Sequence, residues 1–331
     1  MQPNRKRHKK EQLLTSNDIS LPLILNNTEE FPVVPRRERV WIFCKFLLNT
    51  FSTIVRSGPV LDVAGGKGDL SWLLLNHDGV DSCVVDPRRT DHTKLERQAQ
   101  WCMDNPKSAA EQILTTGQLM PQLALTPPFR TPKHLRLFVD ASLLEVLLSK
   151  KHDTQQQRWE QFWNDASARA EAEDTGTKLH HQPKPKLKPS KQIKSTTAKV
   201  ALNQIAARVN TEAGRVLNAA EAHSLLTSAS LLCGFHPDEA TDSLVDLALA
   251  FRVPFALVPC CWFPKTNPDR RIQKNTTQVH VRTYNDYVQF LCQKHPNIRV
   301  ERLPFRSEAK GNGAGLTRNV VVYMLPSDFD E

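Results

Sequence analysis

Apolar residues recur along this chain in two rhythms, one of three and four residues and one of compact runs. Between residues 39 and 54, Val40, Phe43, Phe46, Leu47 and Phe51 fall at helical spacing, which predicts a helix ahead of the first strand. The run Val60-Leu61-Asp62-Val63-Ala64 follows, then a glycine cluster, then Leu70, Leu73, Leu74 and Leu75 at helical spacing again. Strand, glycine turn and helix are the opening of a βαβ unit. Ser82-Cys83-Val84-Val85 reads as a second strand, ending at Asp86-Pro87.

The rhythm blurs over residues 90–133, where Pro121, Pro127, Pro128 and Pro132 predict a loop-rich insertion, at about 95–133. Residues 135–139 read as a third strand ending at Asp140. A second insertion, at about 148–200, is polar, basic and proline-bearing, with a short helix expected over 159–170. A helix over 201–225, a strand over 229–233, a helix over 237–251 and a strand over 254–258 then restore the alternation. The last strand leads into Pro259-Cys260-Cys261. A helix over 284–294 precedes two strands, 298–303 and 319–325, with no helix between them, so they are expected to pair antiparallel. The expected fold is α/β: a Rossmann-like, doubly wound, mostly parallel sheet closed by a C-terminal antiparallel hairpin. Residues 1–30 are expected to form a poorly ordered basic tail, and 31–331 a single domain carrying both insertions.

Composition narrows the class of function. The 331 residues are 40% hydrophobic and 24% charged, as in ordinary globular chains, and no apolar run approaches the roughly 20 residues that cross a bilayer. The N-terminus opens on Arg5-Lys6-Arg7-His8-Lys9-Lys10 without an apolar stretch after it, which reads as a nuclear localisation signal or a disordered tail rather than a secretory signal. Seven cysteines, scattered except for the adjoining Cys260 and Cys261, point to a reduced, intracellular protein, cytoplasmic or nuclear. The net charge of +9 favours an anionic partner, most simply nucleic acid. Part of that excess lies in residues 178–199, which hold seven lysines, no acid and three prolines. This tract reads as a solvated linker or as an RNA-binding arm.

The chemistry concentrates at the glycine cluster. A nucleoside held at the end of the first strand needs backbone that it can approach closely, and glycine supplies it. Asp62, Ala64, Gly65, Gly66 and Gly68 do not give the G-x-G-x-x-G spacing of a dinucleotide turn. A carboxylate at Asp62 would repel a pyrophosphate, whereas it suits the ammonium of an amino acid or the holding of the turn itself. Asp86, 20 residues beyond Gly66, can accept ribose hydroxyls or cap a turn. Asp140 can accept an adenine amino group or cap a helix.

Residues 60–71 resemble motif I of the class I S-adenosylmethionine-dependent methyltransferases, with Ala64 where glycine is commonest, and Val84-Val85-Asp86 resembles their second motif. The segments Cys233-Gly234 with Ala240-Thr241-Asp242, and Val258-Pro259-Cys260-Cys261, are similar to those of the methyltransferase family that includes the zinc-finger tRNA 2′-O-methyltransferase. The zinc-finger cysteines and histidines are absent here, and His236-Pro237-Asp238-Glu239 lengthens the first of these turns. The resemblance covers about a quarter of the chain. It implies a class I methyltransferase fold, S-adenosyl-L-methionine as cofactor held by Asp62, Ala64, Gly65, Gly66, Gly68, Asp86 and Asp140, and RNA as substrate, with protein as second choice.

The remaining candidates have two readings each. His236 and Asp238 are candidate catalytic residues, His236 as a general base or as a satisfied turn histidine, Asp238 as a catalytic group or as a helix-start acid. Gly234, Pro259, Cys260, Cys261 and Trp262 are candidate acceptor-pocket residues. The cysteine pair reads as small hydrophobes shaping a wall, as a nucleophile, or, least favoured because no CxxC or histidine cluster accompanies it, as half of a metal site. Trp262 and Phe263 would stack on a base or close the core. No Asn-Pro-Pro-Tyr run and no Lys-Asp-Lys-Glu set identifies the acceptor atom. A non-catalytic nucleic-acid-binding protein that keeps this fold stays open as an alternative, and so does an NAD-dependent oxidoreductase.

Overall fold

The computed structural model describes residues 31–106, 128–149, 152–174, 211–212, 215–306 and 318–330. The N-terminal tail, most of the first insertion, the lysine tract and residues 201–210 lie outside the described residues. The chain opens on α1 (Arg36–Thr50), then β1 (Val60–Val63), α2 (Asp69–His77), β2 (Ser82–Val85), α3 (Thr93–Asp104) and β3 (Lys133–Leu135). Next come α4 (Ala141–Leu147), α5 (His152–Asp174), the two-residue strands β4 (Thr211–Glu212) and β5 (Arg215–Val216), α6 (Ala219–Thr227), β6 (Leu231–Phe235), α7 (Thr241–Phe251) and β7 (Phe255–Val258). A hairpin of β8 (Arg271–Lys274) and β9 (Thr277–His280), then α8 (Tyr284–Cys292), β10 (Arg299–Arg302) and β11 (Val320–Met324), complete it.

Among the described residues, nine strands form one sheet in the order β10-β11-β7-β6-β1-β2-β3-β4-β5. Its centre, β3-β2-β1-β6-β7, is parallel, as short apolar strands joined by helices require. The C-terminal strands pair antiparallel as expected, yet β11 lies between β10 and β7, inside the sheet rather than at its edge. Side chains alternate across the pleat. Leu61, Val63, Cys83 and Val85 face one core with α4 to α8, while Val60, Leu231, Cys233 and Ala256 face the other with α1 to α3. The sheet is therefore covered by helices on both faces, in a Rossmann-like arrangement.

Four expectations need correction. The third strand is Lys133–Leu135, not 135–139, because Arg136 turns inward and donates to the carbonyls of Pro87 at 3.0 Å and Ala170 at 2.9 Å, ending the ladder. The mixed stretch after residue 90 contains α3, whose signal is weak because only Leu95 and Ala99 of its twelve residues are buried apolar anchors. The helix expected over 201–225 is interrupted by β4 and β5, and among the described residues its helical part starts at Ala219, where Asn218 and Glu221 form a capping box. Finally, the short helix expected over 159–170 is the 23-residue α5, and it belongs to the core. Trp159, Phe162, Trp163, Ala166 and Ala170 make its buried stripe, each large side chain contributing on the order of 2 kcal/mol.

Candidate functional site

In a doubly wound sheet the crevice for ligands opens where successive strands leave in opposite directions. Here that point lies between β1, which pairs with β2 on one side, and β6 on the other, with Asp62 in register with Cys233. The turns after β1 and β6 therefore face each other across the crevice, with the turn after β2 and the segment after β7 beside them.

The turn after β1 takes left-handed backbone at Ala64 (φ 53°), Gly66 (φ 60°) and Gly68 (φ 81°). Ala64 pays the steric cost that glycine would avoid, about 1–2 kcal/mol. The glycines serve different ends. A Cβ on Gly68 would sit 2.7 Å from His92 Cε1 and 2.9 Å from a Val84 methyl, so this glycine packs α2 against the second strand. A Cβ on Gly65 would strike the Asp62 carboxyl at 2.5 Å. One on Gly66 would meet only the Arg88 guanidinium, at 3.6 Å, so Gly66 alone leaves its backbone open to an approaching ligand.

Asp62 lies under this turn, 1% exposed. Its Oδ2 accepts from the Ser71 hydroxyl at 3.2 Å and its Oδ1 has no hydrogen-bond partner, so burial pushes its pKa up to about 7. Of its two expected roles, these contacts are those of holding the turn. Nearby His92 is also buried, with neither ring nitrogen paired; burial first, then His134, lowers it to about 4.

Asp86 is equally buried, and its carboxylate links the turns after β1 and β2. Oδ2 accepts from the Gly66 amide at 2.8 Å, and the Arg88 guanidinium grips both oxygens at 3.0 Å, with the Arg88 amide adding a bond of 2.9 Å to Oδ1. That pairing raises the Arg88 pKa further, and Asp238 across the crevice adds to it. Asp140, in contrast, caps α4: Oδ1 accepts from the Ser142 and Leu143 amides at 3.0 and 3.3 Å, and Oδ2 from Arg169 at 2.9 Å. These are the contacts of its capping reading.

On the far wall, His236 (φ 61°) and Asp238 (φ 44°) are left-handed, as is Phe263 (φ 39°) in the segment after β7. Strain at non-glycine residues gathers at functional sites when the surrounding fold over-determines it. The His236 ring stacks on Phe235 with centroids 4.4 Å apart and turns Nε2 to the Arg318 carbonyl at 3.3 Å, as a satisfied turn histidine does. Asp238 is exposed, and its Oδ1 accepts from the Cys260 thiol at 2.8 Å. Arg318 donates to Cys261 Sγ at 3.2 Å. Burial and the Asp238 carboxylate both raise the Cys260 thiol far above its ordinary value.

Gly234 is a strand residue whose missing Cβ makes room for Pro237 at 3.0 Å and Leu244 at 3.1 Å, a packing role rather than a pocket one. Pro259 is buried, and Trp262 packs against the core, its indole N–H unpaired.

Several site residues escaped the sequence reading. Arg88 stands two positions after Asp86 and was legible there as the nearest cation. Arg270 donates to Asp242 at 2.7 Å and to the Trp262 carbonyl, while the Tyr287 hydroxyl donates to the other Asp242 oxygen at 2.7 Å. This network clamps the segment after β7 to α7 and α8. Arg318 lies just before the last strand, and nothing local in the sequence connects it with Cys261. No protein-family model, no curated protein and no solved structure matches this chain.

Proposed function

We propose that this protein is an S-adenosylmethionine-dependent methyltransferase whose substrate is RNA. The observation that carries the reading is the contact between Asp86 and the Gly66 amide, on the β1–β2 side of the sheet's crossover point. It pairs an open backbone position with a strand-end carboxylate, the two features that a nucleoside needs. The residues fit the cofactor on this side: the ribose hydroxyls would take the Asp86 oxygens that Arg88, 56% exposed, now grips from the solvent side. The non-dinucleotide spacing of the glycines and the resemblance of residues 60–71 and 84–86 to methyltransferase motifs support the same reading, as does the C-terminal antiparallel pair.

Bound S-adenosylmethionine would supply a methyl group on a sulfonium that already carries the driving force. The chain's task is then alignment. Gly66 and Asp86 orient the nucleoside, and the 234–241 turn and 259–263 segment hold the acceptor opposite. RNA as acceptor rests on the net charge of +9 and on the family resemblance.

Equilibrium titration with S-adenosylmethionine and, separately, NAD tests the cofactor. Micromolar binding of the first and none of the second is expected; the reverse sinks the reading. Labelled methyl transfer into fractionated cell extract tests the acceptor: label released by nuclease fits RNA, and label released only by protease replaces RNA with protein.

A further inference from the structure

The Cys260 and Cys261 sulfurs and an Asp238 carboxylate oxygen all lie within 4.8 Å of one another at the far wall of the crevice. In extended chain, consecutive side chains point to opposite sides. Here the two thiols converge on one carboxylate, which a left-handed Asp238 delivers from the facing turn. Two separate segments, after β6 and after β7, are thus brought to one point at a cost in backbone strain.

We propose that Asp238, Cys260 and Cys261 form a binding site for a soft divalent cation of the zinc class. Two sulfurs and one carboxylate oxygen are a zinc-type donor set, and three protein ligands leave a coordination position for water or a substrate atom. The ligand edges of a tetrahedral zinc site are about 3.5–3.8 Å. Side-chain rotation that opens the 2.8 Å Cys260–Asp238 contact by roughly 0.7 Å and closes the other edges, 4.8 Å at most, by about 1 Å completes it. Binding replaces the two thiol protons, which pass to solvent. Two thiolates, one carboxylate and a divalent cation together carry one negative charge, and Arg318 against Cys261 balances it. The site does not depend on the methyl-transfer reading and goes beyond it.

The test uses the full-length chain, reduced and stripped with chelator, titrated with Co2+ and then back-titrated with Zn2+. Co2+ is expected to saturate at one equivalent with a thiolate-to-metal charge-transfer band and tetrahedral visible bands, both erased by Zn2+. Cys261→Ser, at a half-buried position where folding is readily retained and checked by circular dichroism, is expected to remove most of the charge-transfer absorption. Asp238→Asn and Arg318→Leu should each weaken Co2+ by about tenfold or more. Absence of a charge-transfer band in the folded, reduced protein overturns the proposal. So does a band unchanged in folded Cys261→Ser, which would assign the metal to other cysteines.

Discussion

Asp86 is buried at the end of β2, and its Oδ2 accepts a hydrogen bond of 2.8 Å from the backbone of Gly66, in the turn that follows the neighbouring strand. One carboxylate therefore ties together the two turns that flank the nucleoside side of the crevice. Asp86→Asn keeps the shape but removes the charge, weakening the bonds to Gly66 and Arg88. A hydrogen bond to a charged group is worth about 1.5–3 kcal/mol, so affinity for S-adenosylmethionine is expected to fall by roughly tenfold to a hundredfold. Calorimetric titration reads this, and an unchanged affinity in the folded variant removes Asp86 from the binding site.

Gly66 and Gly68 should separate binding from folding. Gly66→Asp is expected to fold, because the added side chain finds open space beside Arg88 and aspartate tolerates left-handed backbone. It should nevertheless lose S-adenosylmethionine, since its carboxylate occupies the approach to the turn. Gly68→Ala should instead cost at least about 2 kcal/mol of stability, from the left-handed penalty and the contacts with His92 and Val84. Urea unfolding of both variants gives the comparison, and equal stabilities would contradict it.

Asp62 makes the stability of the unliganded protein depend on pH in a definite direction. Its folded pKa, about 7, stands above the ordinary 3.8, so the folded state holds a proton that the unfolded chain releases. Its stabilising effect is full below about pH 4 and is lost as pH rises towards 7. Asp62→Asn should therefore be more stable than the parent at pH 8, by up to about 4 kcal/mol, and gain little at pH 4. A gain of the same size at both pH values would show that ionisation is not the cause.

The clamp on the segment after β7 predicts unequal effects from its two partners. Asp242→Ala strands the Arg270 guanidinium, whose side chain is 8% exposed, and should cost about 3–5 kcal/mol. Tyr287→Phe removes one hydrogen bond while Arg270 still neutralises Asp242, so a loss of about 1.5 kcal/mol is expected. Thermal unfolding of both variants decides, and a Tyr287→Phe loss equal to that of Asp242→Ala would remove Arg270 from the clamp.

Patterns confined to a few neighbouring residues were legible in the chain. Val60 to Gly68 declared strand, turn and helix because apolar runs and glycine act locally, and the approximate positions of β2, β6, β7, β10 and β11 followed from the same signal. Arg136 was unreadable as a strand terminator, since its partners Pro87 and Ala170 are distant in sequence. The β8–β9 hairpin turns at Asn275-Thr276, a weaker signal than Asn-Gly, and passed unnoticed. On the site's far wall, the cysteine pair was visible but its convergence on Asp238 was not, because it depends on left-handed backbone at residues that ordinarily avoid it.

The sheet order has a consequence for how the protein reaches its folded state. The pairing of β1 with β2, and of β6 with β7, each closes a short crossover, whereas the central pairing joins Val60 to Leu231 across both insertions. Late docking of two independently formed halves is therefore the expected route, since distant contacts form slowly. Each half brings one wall of the crevice, so the site comes into being only when they meet. Shortening by a third the chain that the central pairing closes would change its closure entropy by only about 0.4 kcal/mol. Chain length outside the packed elements thus has little thermodynamic weight, while pulse-labelled hydrogen exchange should show the β1–β6 amides protected last.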